Sequence, residues 1–133
     1  MKRSFLLGFI AAVIMTSAVT AYAHHSFAAT YQETKKIQIE GKIASFTFRN
    51  PHSFLYINAP AESGAMQRWT IEWGGAGVLE GQGITRDSLK SGDTVVITGS
   101  PGRDVTEHRM RMASLRRTSD GFGWGTKAGE KFD

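Results

Sequence analysis

From Gln67 to Trp73 the chain alternates without a break: Trp69, Ile71 and Trp73 fall on one side, Arg68, Thr70 and Glu72 on the other. Only an extended strand with one buried face has that two-residue period. Glu72 is thereby assigned to the exposed face, while Glu62, Glu80, Asp87 and Asp93 fit turns. The same period runs from Lys35, where Ile37, Ile39 and Ile43 share a face against Gln38, Glu40 and Lys42. The apolar parity then switches to Phe46 and Phe48, which requires one extra residue, a bulge near Ala44-Ser45 beside Gly41. Asn50-Pro51 ends this long bent strand, and His52 to Asn58 reads as a second. After Gln67–Trp73, a stretch rich in glycine leads to Ile84–Leu89, where Thr85 could cap one helical turn. Thr94 to Thr98 and His108 to Arg116 supply a fourth and fifth strand. Five strands, a bent first strand and a short helical turn between strands three and four predict an all-β chain. The expected architecture is a small five-stranded barrel like the oligonucleotide/oligosaccharide-binding (OB) fold. A β-sandwich needs ~7 strands and is the competing architecture.

The N-terminus limits how much chain the fold can use. Met1-Lys2-Arg3 is basic, Phe5 to Met15 is apolar, and Ala21-Tyr22-Ala23 closes the segment with small residues. This order is that of a secretory signal, expected as a helix removed after Ala23. The apolar run falls short of the ~20 residues of a bilayer span, so no stable membrane anchor is expected after cleavage. Removing 23 of the 133 residues leaves 110, one domain's worth. The expected organisation is a signal peptide over 1–23, an N-terminal arm over 24–36, the barrel over 37–117 and a flexible glycine-rich tail over 118–133. Lys2 and Arg3 take two of the 16 basic residues with them, so 14 basic residues face 12 acidic ones, a formal charge of +2. That balance carries no strong nucleic-acid footprint, and export makes a nucleic-acid partner less fitting still. With no cysteine in the sequence, disulfides, thiolate metal sites and Cys nucleophiles are excluded, and stability must come from a packed core.

Cleavage after Ala23 would expose His24 as the first residue of the exported protein, with His25 next. An N-terminal histidine offers two nitrogens to one metal ion, the α-amine and the ring Nδ1. The amine titrates near ~7.7–8.0, so a metal can displace its proton at neutral pH. Nitrogen-rich tetragonal sites favour Cu(II). A third nitrogen from His52 would complete a histidine brace, with His25 and His108 in reserve. The plainer alternative is that the two histidines only make an accessible terminus, and that His52 bonds a carbonyl at its turn.

Other residues carry weaker signals. Met110 and Met112 alternate in a strand and read as core rather than Cu(I) ligands. Trp69, Trp73, Phe46, Phe48, Phe54 and Tyr56 could stack a ligand on a barrel face, but a chain this short also needs them for its core. Arg109, Arg111, Arg116 and Arg117 form a positive stripe on the last strand, expected to be a charged sheet edge. Trp69, Trp73, Arg109 and Arg111 together define a second candidate face, for a protein or an envelope glycan. The glycines at 74, 75, 77, 81 and 83 fit no phosphate-loop or dinucleotide spacing. No catalytic constellation stands out, so a binding or accessory protein is expected rather than an enzyme.

His24-His25-Ser26-Phe27-Ala28, Asn50-Pro51-His52-Ser53 and Leu89-x-x-Gly92-Asp93-x-Val95-x-x-x-Gly99-x-Pro101 together resemble an uncharacterised family of small secreted bacterial proteins. The resemblance spans nearly all of residues 24 to 120 and implies a small exported β-barrel, in the periplasm or outside the cell, without naming a ligand. The glycine-rich tail departs from it.

Overall fold

The computed structural model describes residues 27–132, and every strand lies in one compact unit, Tyr31–Asp133. The signal segment, its cleavage point, His24 and His25 lie outside the described residues. The elements are β1 (Ile37–Thr47), β2 (Ser53–Pro60), β3 (Met66–Trp73), α1 (Ala76–Gly81), β4 (Thr94–Pro101), a 3-10 turn (Val105–Glu107), β5 (Arg109–Arg117) and β6 (Gly123–Trp124). The sheet runs β3-β2-β1-β4-β5-β6. A parallel pairing of β3 with β5, Thr70 to Arg109, Ile71 to Met110 and Glu72 to Arg111, closes the first five strands into a barrel. The chain is therefore the all-β small barrel that the alternation predicts.

β1 makes the closure work because it serves two neighbours. Ile37 to Lys42 pair with β4 and Lys42 to Thr47 pair with β2. Between Ile43 and Ser45 the register slips against β2, so Ala44 is the extra residue that the parity switch demands. Gly41 sits at the bend, where a Cβ would stand 2.5 Å from the Asn58 carbonyl oxygen and 2.7 Å from Ile57 Cγ2. Only glycine fits there.

The barrel interior is filled. Leu55, Ile57, Ile71, Trp73, Val95, Ile97, Met110 and Leu115 are buried together. Phe46 packs on Phe48 and on Trp73, and Trp73 packs edge-on against Trp124, with centroids 5.3 Å apart. Met110 and Met112 are core, as their alternation suggests.

Three features differ from the sequence reading. The helix between β3 and β4 is Ala76–Gly81, inside the glycine-rich stretch, and Ile84–Leu89 is a turn in which the Thr85 N–H donates to Ser88 Oγ at 2.8 Å. Leu79, fully buried, anchors that helix and outweighs the glycines' poor propensity. The tail beyond Thr118 adds β6 and buries Trp124. A two-residue strand is too short to show a period, so the sequence reads as aperiodic there. Lastly, β5 is not a sheet edge, because β4 and β3 both pair with it.

Arg117 ties the loops at one end. Its guanidinium donates to both oxygens of Asp120, at 2.9 and 2.8 Å, and to Asp93 at 2.9 Å and the Ser88 carbonyl at 2.8 Å. The hydrogen bonds from Arg117 hold the Asp120 carboxyl down at about 2. For Asp93, burial opposes ionisation, yet the Lys90 N–H and Arg117 bring the net shift downward.

Two predictions follow from this frame. Gly41→Ala should lower stability by ~1–3 kcal/mol through overpacking, read as a shifted urea midpoint. Gly81→Ala, which meets nothing within 4 Å, should leave that midpoint unchanged or raise it. Because the Asp120 carboxyl is depressed in the fold, its contribution is complete above the ordinary ~3.9 and fades as pH falls toward the folded value. In Arg117→Met, the NMR titration midpoint of Asp120 should therefore move back up toward ~3.9.

Candidate functional site

The polar faces of three strands meet at the barrel seam. On β2 the inward set is Ser53, Leu55, Ile57 and Ala59, which leaves His52 and Phe54 outward. On β3 Glu72 is outward, and on β5 so are Arg109 and Arg111. Closure brings these side chains together on the outside of the barrel. His52 follows the cis Asn50–Pro51 bond, and this corner is fastened to α1: the Arg49 carbonyl accepts from the Ala76 N–H at 3.1 Å, and Asn50 Oδ1 accepts from the Gly77 N–H at 3.2 Å.

Glu72 is the hub. Although it faces outward it is only 8 % exposed, because the arm before β1 crosses over it. That arm is tied to the barrel by the Gln32 N–H, which donates to the Pro101 carbonyl at 2.9 Å, and by a bridge between Tyr31 and Gly102. His52 Nδ1 lies 2.7 Å from Glu72 Oε1, the Tyr31 hydroxyl donates to Oε2, and Arg109 Nη2 stands 3.9 Å from the same oxygen. Burial, reinforced by the hydrogen bond to Glu72, pushes the Tyr31 phenol up from its ordinary value, so Tyr31 is a hydrogen donor throughout the physiological range. Arg109 also leans toward Glu107 at 3.7 Å, and Arg111 pairs with Glu33 at 3.6 Å. Phe132 covers the outer side, 4.3 Å from the Arg111 guanidinium and edge-on to His52 at 5.7 Å.

An ionised Glu72 can only accept, so the short contact fixes the proton of a neutral His52 on Nδ1. A carboxylate–imidazole pair of this kind commonly orients a metal-ligating histidine. Among the described residues, no group of three or more His, Cys, Asp or Glu side chains converges as a metal site.

The other candidate residues lie elsewhere or in other roles. His108 adopts a left-handed backbone, φ 46°, and its ring packs edge-on to Trp69 at 5.3 Å. Trp73 has no exposed surface and can support a binding face only from behind. Trp69 is half-buried and, with His108, Arg109, Lys35 and Asp104, lines a cavity of about 120 Å³. Sequence reasoning missed Tyr31, Glu33, Glu72 and Phe132. The period of β3 gives Glu72's face correctly, but nothing periodic tells what lies over that face.

The profile of a family of unknown function, DUF6152, matches residues 12–111. The chain belongs to that family. The match agrees with the resemblance noted in the sequence. A comparison with curated proteins finds no match. The part of the chain matched to DUF6152 takes in Tyr31, His52, Glu72, Arg109 and Arg111 and stops before Phe132.

The tautomer is open to direct measurement. Ring nitrogen shifts of neutral His52 should show the proton on Nδ1, and Glu72→Leu should return the ring toward the Nε2–H form. Glu72→Leu should also cost ~1–3 kcal/mol by stranding the buried Tyr31 hydroxyl, a loss that Tyr31→Phe in the same background should largely recover.

Proposed function

We propose that this DUF6152 protein is exported, cut after Ala23, and holds copper in the periplasm through the His24 amine and ring together with His52, for carriage or buffering. The observation that carries the reading is the 2.7 Å contact of His52 Nδ1 with Glu72. A histidine that serves only to bond a turn carbonyl needs no buried carboxylate behind it. One that must present Nε2 to a metal does. Tyr31 shares that carboxylate, and His24 lies seven residues upstream of it. His25 is the reserve ligand.

The test uses natively processed protein, with the start at His24 established by mass spectrometry. Cu(II) titration followed by EPR should give a nitrogen-rich signal that His24→Ala abolishes and His108→Ala leaves intact. Glu72→Gln should weaken binding ~10–100-fold as the ring loses its orientation. Equal copper binding by wild type and His24→Ala would refute the assignment.

A second reading, a metal-free module or accessory subunit that holds a protein or envelope glycan, is supported by one observation. Trp69 and Arg109 share the rim of the cavity of about 120 Å³, an aromatic surface beside a donor. Trp69→Ala should then abolish binding to the partner that co-purifies, without touching the copper signal.

A further inference from the structure

We propose that the C-terminal segment is a lid, and that Phe132 is the residue that decides what reaches His52. This rests on the reading of His52 as a ligand-presenting histidine. One side chain fastens Lys131, the residue before Phe132. Gln82, just past α1, donates from Nε2 to the Lys131 carbonyl at 2.8 Å and accepts from the Lys131 N–H on Oε1 at 2.9 Å. The same Oε1 accepts from the indole N–H of Trp124 at 2.8 Å. One amide thus joins the core-anchored β6 to the end of the tail.

The barrel is shaped to receive this segment. At Gly74, directly after β3, a Cβ would stand 2.2 Å from the Phe132 carbonyl oxygen, so any other residue would drive the tail off. Phe132 then places its ring between Arg111 and His52. The guanidinium meets the ring face, where the aromatic quadrupole attracts a cation. The imidazole meets the ring edge-on.

The fastening is local. The segment from Thr126 to Phe132 contributes no strand to the sheet, and the stretch before Phe132 is held by the Gln82 amide and by a turn in which Glu130 accepts from the N–H groups of Thr126 and Lys127, at 2.9 and 2.7 Å. Segments held this way open far more readily than the sheet beneath them. With Phe132 seated, an aromatic ring stands against His52, which excludes a bulky ligand such as an oligosaccharide or a peptide side chain and admits an ion. With Gln82 released, Phe132 leaves the His52 ring and the Arg111 guanidinium, while Tyr31 stays over Glu72.

The test reads His52 directly, in protein without metal. Diethyl pyrocarbonate modifies neutral imidazoles, and peptide mass spectrometry gives the rate at each histidine. The His52 side chain keeps 28 % exposure with Phe132 seated, so Phe132→Ala should raise the rate at His52 by about two-fold or more, while His108 keeps its wild-type rate. Gln82→Glu, which keeps the acceptor for Trp124 but loses the donor to Lys131, should move His52 the same way. Phe132→Tyr should restore protection. Unchanged His52 rates in both variants would overturn the lid, and so would equal acceleration of His52 and His108. Copper titration of the same proteins separates the two proposals. Faster His52 modification with no Cu(II) signal in any variant leaves the lid standing and removes the copper reading. A wild-type Cu(II) signal with unaltered modification rates does the reverse.

Discussion

The parallel pairing of β3 with β5 is the contact on which the rest of the molecule depends. Five strands joined only in the order β3-β2-β1-β4-β5 would leave two open edges, and the arginine stripe of β5 would lie on one of them. Pairing Ile71 with Met110 closes the interior, and in the same step it sets Glu72 opposite Arg111 and beside Arg109. The closure that completes the core therefore also assembles the charged cluster. β1 makes this geometry attainable by serving β4 with one half and β2 with the other, hinged at Gly41 and the Ala44 bulge.

A filled interior fixes where function can reside. Trp73, Leu55, Ile57 and Met110 are buried in the barrel interior, so the side chains that line it are apolar. The charged side chains gather on the outside. There the covered seam between β2, β3 and β5 differs from ordinary strand surface. Glu72 and Glu33 face Arg109 and Arg111, and Tyr31 and His52 use the remaining capacity of the Glu72 carboxylate. Burying a carboxylate to this degree is costly unless it is paired and hydrogen-bonded, and every side chain around Glu72 contributes to meeting that requirement.

The sequence shows the fold more clearly than the site, for a physical reason. Side-chain period records which way a residue points, and that is enough to place Trp69, Ile71 and Trp73 inward and to locate the bulge from the shift between Ile43 and Phe46. Period does not record what arrives over the outer face from elsewhere in the chain. Glu72 alternates like Arg68 and Thr70, yet Tyr31 from the arm covers it, 41 residues away in sequence. Phe132 lies 80 residues from His52 and belongs to a stretch whose glycines suggest no order at all. A glycine outside the tail makes room for it: at Gly74, after β3, the Phe132 carbonyl oxygen comes too close for a Cβ. Likewise α1 is hidden by its glycines, because propensity is weighed locally while Leu79 is held by the whole core.

The charge balance of the cluster narrows the chemistry of any ligand that joins it. Hard cations such as Ca²⁺ are held by several oxygen ligands and need carboxylates in excess. Here Glu72 is already committed to Tyr31, His52 and Arg109, and Glu33 to Arg111, so neither has an excess of charge to offer. A neutral imidazole backed by a carboxylate is a different donor. Its affinity comes from a directed nitrogen lone pair, which favours metals high in the Irving–Williams order. The proposed copper ligand therefore has its character set by the residue behind it: Glu72 turns the ring.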